Sequence, residues 1–282
     1  MYINIQDFAY ICSDMQDAGE HTGVALVTGA SSGMGLVFAR QLAGRGYTLL
    51  MISNRAEELS DAAAAIRAAY PVRVESLCLD LSVHGAAREV LAWCDAIGLS
   101  PTVLINNAGM FFMEYLSPGN LPKADAMMAL HMETVTDLCV LIGSRMKEQG
   151  EGRILNMSSL TARLPAPGIA IYSASKAYLK SFGKSFSYEM RPFGVTVTTV
   201  CPAAIDTGLY PLGGRMRRLL RRIGVLWSPE KLVSRALRAM FRGRRVVSPG
   251  LMNVLLPPLI AALPARLIDY LGLKWIDKNT RQ

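Results

Sequence analysis

Paired cysteines are absent from this chain. Its five cysteines (Cys12, Cys78, Cys94, Cys139, Cys201) are scattered, odd in number and form no Cys-x-x-Cys. That pattern argues against a disulfide framework or a zinc site, and for a reducing compartment such as the cytoplasm. Histidine is as sparse: His21, His84 and His131 stand far apart and give no metal-ligand spacing. No cationic segment precedes an apolar run at the start, where "MYINIQDFAYICSDMQDAGEHTG" carries acidic residues, so a signal peptide is not expected. Residues 246–265 are uncharged for a membrane-spanning length, but Pro249, Pro257, Pro258 and Pro264 interrupt them. Proline breaks an interior helix, which argues against a span there.

Charge is also scarce, at 18% of residues, whereas 51% are hydrophobic. A large core is therefore available and wholesale disorder is not expected. The net charge of +8 is concentrated: "RMRRLLRR" (Arg215–Arg222) and "RGRR" (Arg242–Arg245) supply eight of the thirty basic residues. No aromatic platform or zinc-finger spacing surrounds them, so nucleic acid is not an expected partner.

What the chain does contain is alternation. "VALVT" (24–28), "TLLMI" (48–52), "VRVESLC" (72–78), "TVLIN" (102–106), "RILNM" (153–157) and "VTVTTV" (195–200) read as strands, with "RRVVS" (244–248) as a seventh. Most are continuous apolar or β-branched runs, as strands covered on both faces require. Helical patterns lie between them near 34–44, 55–69, 84–97, 122–149 and 170–191. The order predicts an α/β, Rossmann-type, doubly wound parallel sheet with right-handed crossovers and helices on both faces. With no linker and no repeat, one domain is expected over 23–282, after an extension at 1–22.

The first strand runs into "TGASSGMG" (28–35), with glycines at 29, 33 and 35. A tight turn there lets backbone approach a pyrophosphate at the positive end of the next helix. A plain strand–helix turn uses glycine too. Further along, "YSASK" (172–176) puts Tyr172 and Lys176 on one helical face. A cation near a phenol favours the phenolate, so the pair either exchanges protons with a substrate or is an ordinary exposed tyrosine and lysine.

Taken in order, "TGASSGMG", "NNAG" (106–109), the paired serines of "NMSSL" and "YSASK" resemble the short-chain dehydrogenase/reductase family over roughly residues 23–207, specifically its hydroxysteroid dehydrogenase-like and ketoreductase-like members. The resemblance implies that Tyr172 is the general acid/base, that Lys176 lowers its pKa and holds the nicotinamide ribose, and that Ser159, thirteen residues before Tyr172, orients the substrate oxygen. Ser158 is then a structural hydroxyl and Asn156 a backbone-pairing residue. The family's fourth catalytic position, usually Asn, falls on His131. A neutral imidazole can donate and accept, so His131 either serves a proton relay, adding pH sensitivity, or packs inside the helix as a satisfied histidine.

The same resemblance assigns cofactor binding to Gly29, Ser31, Ser32, Gly33, Met34 and Gly35, to Asp80 and Leu81 on the adenine side, and to Asn107, Ala108 and Gly109, with Asn106 also lining that side. Pro202, Ile205 and Thr207 follow strand six, where "PAAIDT" has Ala203 in place of the family's glycine. Twenty-four residues after Gly29, where NAD-preferring members carry an acid, stands Ser53, followed by Asn54 and Arg55. No carboxylate repels a 2′-phosphate, so NADP(H) is favoured over NAD(H). The segment 208–227 is expected to form a helical substrate lid, and Met110, Phe111, Phe112, Leu160, Leu164 and Leu209 an apolar wall. Such a lining suits a steroid, a bile-acid-like molecule or an oxo-lipid such as a 3-oxoacyl compound. The apolar tail at 246–276 is expected to cover the pocket, join a homo-oligomer interface or touch a membrane beside the basic lid. A non-catalytic nucleotide-sensing protein is the rival from another class.

Overall fold

A computed structural model of the chain describes residues 23–203 and 227–250, with residues 256–259, 262, 264, 266, 267 and 270 beyond them. The expected N-terminal extension, nearly all of the expected lid and most of the apolar tail lie outside the described residues, as do Ile205, Thr207 and Leu209.

Seven parallel strands form one sheet: β1 (Val24–Thr28), β2 (Thr48–Ser53), β3 (Val74–Cys78), β4 (Val103–Asn106), β5 (Gly152–Met157), β6 (Val195–Val200) and β7 (Val246–Val247). Their spatial order is β3-β2-β1-β4-β5-β6-β7. The chain thus winds outward from β1 in one direction, then returns to β4 on its other side. This reversal opens a crevice beyond the carboxyl ends of β1 and β4, where ligands bind in sheets of this kind. The central strands are buried on both faces: Leu26, Leu50, Leu104 and Ile154 on one side, Val27, Met51, Ile105 and Leu155 on the other, all at 0% exposure. Each large side chain so buried contributes roughly 1.5–3 kcal/mol of transfer free energy. Edge strand β3 differs: only Val74 is buried, and Glu75–Cys78 are partly or fully exposed, at the margin of the sheet where β2 is its one neighbour.

Helices cover both faces. On one side lie α1 (Gly33–Ala43), α2 (Ala56–Ala69) and α7 (Pro229–Phe241). On the other lie α3 (Ala86–Ala96), α5 (Thr134–Gln149) and α6 (Ala170–Met190). Helix α7 shows how local sequence sets an element: Ser228 caps the Lys231 N–H, Pro229 opens the first turn, and Leu232, Val233, Ala236, Leu237 and Met240 form its buried stripe.

The long helix expected over 122–149 is not uniform. After α4 (Leu121–Met128) the chain widens into a π-helical turn, Ala129–Glu133, before α5 begins. π-bulges of this kind insert a residue into the helical ladder and are frequent at functional sites. Here the inserted turn carries His131, which is fully buried. The stretch Pro118–Gln149 is long and apolar enough to cross a membrane by composition, but half of its most apolar window is buried within the domain.

Candidate active site

A cleft of about 730 Å3 opens at the carboxyl ends of the strands. One end is built by the turn after β1. Gly29 and Gly33 adopt positive φ values of 64° and 53°, a region glycine enters without strain. A Cβ on Gly33 would meet nothing within 4 Å, and a Cβ on Gly35 would drive into the Gly29 carbonyl oxygen. Gly35 is therefore a packing residue beneath the turn and does not line the cleft, whereas Gly29, Ser31, Ser32, Gly33 and Met34 do. Helix α1 opens with Ser32 in extended conformation and no side-chain cap. Its first N–H groups are left for another acceptor, and its dipole favours an anion there.

Next to this turn, the Ser31 and Ser53 hydroxyls lie 2.9 Å apart, and Ser53 Oγ also accepts from the Arg55 N–H at 3.3 Å. Asn54 and Arg55 are exposed at the rim, with the Arg55 guanidinium 3.1 Å from Glu58. Asp80 folds into a local turn, Oδ1 accepting from the backbone N–H and hydroxyl of Ser82 at 2.9 and 2.8 Å, and lines the cleft with Leu81. After β4, Thr28 Oγ1 accepts from the N–H groups of Asn107 and Ala108, each at 3.0 Å, and stitches the two strand ends together. Asn107 Oδ1 is buried with no hydrogen-bond partner among the described residues. Asn106, by contrast, turns away from the cleft: its Nδ2 donates to Asn156 Oδ1 at 2.8 Å in the core beside Cys139. The expectation that its side chain lines the cleft is corrected by this pairing. Asn156 likewise does more than pair backbone.

The other end of the cleft gathers Ser159, Tyr172 and Lys176 with His131, Met110 and Phe111. Ser159 stands at the entrance of the short 3-10 turn Leu160–Ala162, where its Oγ accepts from the Thr161 N–H at 3.2 Å. Ser158 is buried, its hydroxyl donating to the Lys176 carbonyl at 2.7 Å. Lys176 is only 6% exposed, and its ammonium donates to the Met157 carbonyl at 3.1 Å. Burial pushes its pKa down to about 8, slightly opposed by the nearby Cys201 thiol. The Phe111 and Tyr172 rings meet edge to face, centroids 5.0 Å apart at 88°.

His131 has both ring nitrogens engaged. Nε2 accepts from the Met110 N–H at 3.1 Å, so the ring proton of the neutral form belongs on Nδ1, 2.9 Å from Ser175 Oγ. The Ser175 hydroxyl donates onward to the Tyr172 carbonyl at 2.8 Å. Burial, and then the Lys176 cation, hold the imidazole's pKa well below its ordinary 6.5. Ser175, one of the small residues between Tyr172 and Lys176, belongs to this chain of bonds.

As the described residues form it, the cleft is not lined by Leu160, Leu164 or Phe112. The 3-10 turn carries the chain aside, and Thr161, Ala162 and Pro165–Pro167 border a separate shallow depression against Ala170, Ser173, Ala174 and Ala177. Pro202 and Ala203 do reach the cleft, as do Leu79, Ser82, Ala126, Leu130 and Met157, which no sequence pattern singled out.

The residues present fit a dinucleotide. The uncapped α1 terminus suits a pyrophosphate, the unpartnered Asn107 Oδ1 suits a ribose hydroxyl, and the hydroxyl–lysine–phenol group stands at the far end.

Comparison with known proteins agrees with this geometry. A family model described as "short chain dehydrogenase" matches residues 23–212. The very-long-chain 3-oxoacyl-CoA reductase of Aspergillus fumigatus is 32% identical over 235 residues, covering 80% of this chain and 64% of that protein. The chain spans 58% of the corresponding reductase-A of Danio rerio, so it covers less than two thirds of these relatives' length. Among solved structures, the bulky-bulky ketone specific alcohol dehydrogenase of Comamonas testosteroni aligns with a TM-score of 0.71 at 27% identity, over 86% of this chain and 95% of that one. A short-chain dehydrogenase of Sphingobium yanoikuyae, solved in complex with NADPH, gives 0.71 at 25% identity over 86% and 97%. With the family model matched from β1 through β6 and over the residues that line the cleft, the chain belongs to the short-chain dehydrogenase family of oxidoreductases.

Proposed function

We propose that this chain is an NADP(H)-dependent oxidoreductase that interconverts a hydrophobic ketone and a secondary alcohol. The carrying observation is the meeting of Ser159, Tyr172 and Lys176 at one end of a cleft whose other end is the uncapped terminus of α1. The bound dinucleotide supplies hydride to a carbonyl carbon, or accepts it from a carbinol carbon. Tyr172 gives its phenolic proton to the carbonyl oxygen in reduction and takes the hydroxyl proton in oxidation. Ser159 donates a hydrogen bond to that oxygen and fixes its position. Lys176, held by the Met157 carbonyl, presents a cation beside the phenol, which favours the phenolate.

Gly29, Ser31, Ser32, Gly33 and Met34 would hold the pyrophosphate, Asp80 and Leu81 the adenine, Asn107, Ala108 and Gly109 the adenosine and ribose side, and Lys176 the nicotinamide ribose. Ser53, Asn54 and Arg55 supply hydroxyl, amide and cation, without a carboxylate at the strand end, to receive a 2′-phosphate. Met110 and Phe111 form the apolar substrate wall.

Steroid-type and 3-oxoacyl-type substrates both suit an apolar wall. The activities for which the reductase relatives are named favour an oxoacyl thioester. Homo-oligomer assembly and peripheral contact with a membrane extend the reading. The exposed Leu259, Leu267 and Tyr270 of the tail support the contact, and the free Cys78, Cys94, Cys139 and Cys201 support a cytoplasmic setting.

The test is NADPH consumption, paired with NADH, against 3-oxoacyl thioesters, steroid ketones and oxo-bile acids, followed by alcohol oxidation with NADP⁺. Turnover that disappears in Y172F while cofactor binding remains supports the enzyme and names its substrate class. Tight NADPH binding with no turnover in either direction would favour the sensing reading instead.

A further inference from the structure

We propose that His131 is a positioning residue, a fixed strut that sets the gap between the two walls of the cleft, and that its imidazole carries no proton relay. The inference rests on the oxidoreductase reading above.

The walls in question are the segment after β4, which carries Met110 and Phe111, and helix α6, which carries Tyr172. His131 bonds to both. It takes the Met110 N–H on Nε2, and its Nδ1–H meets Ser175 Oγ, whose own proton goes to the Tyr172 carbonyl. Each donor in this series gives once and each acceptor receives once, so the arrangement closes with a single tautomer. A relay passes protons along hydrogen bonds between groups that gain and lose them, and this series ends on the Met110 amide N–H and the Tyr172 carbonyl, backbone groups that do neither.

The local fold is shaped around the ring. The π-helical turn at Ala129–Glu133 carries the imidazole at 0% exposure. Gly109 admits it closely: a Cβ there would stand 3.1 Å from Nε2. The result bears on the reacting group, because Phe111, one residue past the bonded Met110, packs edge-on against Tyr172. Loss of the strut frees the loop and the phenol to move apart, and a misplacement of about 1 Å costs on the order of 100-fold in rate.

The groups facing the imidazole hold it neutral. From α6 come the Lys176 ammonium and the Tyr172 ring, whose centroid lies 5.9 Å away. The segment after β4 presents backbone only, through Met110 N–H. Glu133, in the same π turn, is spent on His84 at the surface. A protonated ring could not accept from Met110, so protonation would dismantle the strut.

Two measurements test this. In the wild-type protein, imidazole 15N spectra should show one Nδ1–H tautomer that does not change between about pH 5 and 8. An Nε2–H tautomer, or titration near the ordinary histidine value, overturns the proposal whether or not any substrate turns over. In kinetics, H131A and S175A should each raise KM and lower kcat together by about 10- to 100-fold. The double variant should be no worse than the poorer single one, as expected for partners in one network. H131Q, whose amide oxygen reaches about as far as Nε2, should recover much of the loss, with the limbs of the pH profile unmoved throughout. A fall in kcat alone for H131A, with loss of an ionisation from the pH profile and S175A behaving as wild type, would establish a relay and sink the strut. Absence of any Tyr172-dependent turnover would defeat the functional reading, while the tautomer and titration of His131 would still decide for or against the strut.

Discussion

The ammonium of Lys176 donates to the Met157 carbonyl at the end of β5 and lies 5.6 Å from the centre of the Tyr172 ring, one turn earlier on α6. The strand end therefore fixes the lysine, and the lysine stands beside the phenol. Such a cation is useful near a reacting oxygen and expensive in an apolar core, where desolvation opposes its charge. Both consequences can be measured.

Burial lowers the pKa of Lys176 from its ordinary 10.5 to about 8. Between those values the unfolded chain binds more protons than the folded one, so this group's contribution to stability rises with pH across that window. Below about pH 8 the cost of burying the ammonium is fully present, on the order of 3 kcal/mol. K176M without cofactor should therefore be more stable than wild type near neutrality, with the gap narrowing as pH climbs from 8 toward 10.5. Urea midpoints at several pH values test this; a gap that does not change with pH would contradict it.

The two adjacent serines should separate. S159A removes a hydroxyl that faces the cleft and a short cap on the Thr161 N–H. It should lower kcat by about 100-fold, with about 1 kcal/mol lost in stability. S158A removes the buried bond to the Lys176 carbonyl, so its main effect should be on stability, by roughly 1 kcal/mol. Parallel turnover and thermal unfolding measurements would show the split, and equal kinetic losses would reject it.

The glycines of the first turn also do different jobs. Gly33 has open space where a Cβ would go but a φ of 53°. G33A should fold with a cost of about 1–2 kcal/mol and lose NADPH affinity, because the new methyl enters the cofactor's side of the turn. Gly35 has backbone where a Cβ would go, so G35A should be much less stable or fail to accumulate. Soluble yield and unfolding midpoints, with NADPH titration of the surviving variant, check the contrast.

Arg55 is exposed and tied to Glu58. If its guanidinium meets a 2′-phosphate, R55A should weaken NADPH about tenfold or more and leave NADH nearly unchanged. E58Q should act oppositely by releasing the arginine. Equilibrium binding of both dinucleotides measures this, and equal losses for NADPH and NADH in R55A would remove the arginine from the recognition scheme.

The sheet was legible in the sequence because buried parallel strands must be continuous apolar or β-branched runs, and because the intervening helices repeat at a different period. The placing of the tyrosine beside the lysine, and the shape of the first turn, were legible for a related reason. Tyr172 and Lys176 depend on a fixed helical spacing, and the β1 turn depends on glycines at fixed offsets. The course of the turn that carries Leu160 and Leu164 was not legible, because an apolar residue in a loop does not declare which way the loop turns. Asn106 was hidden for another reason. Adjacent residues on a strand point to opposite faces, and the sequence "NNAG" does not say which asparagine faces the cleft.

Contacts a few residues apart set the strand–helix order, the glycine turn and the tyrosine–lysine pair, so these could be read from the amino acids in order. Folding in three dimensions was needed to bring His131 to both Met110 and Ser175, to bury Lys176 against Met157, and to join Asn156 to Asn106 in the core. Those bonds join strands, loops and helices distant in the chain. Their existence depends on sheet order and on one inserted helical residue, neither of which leaves a periodic mark in the sequence.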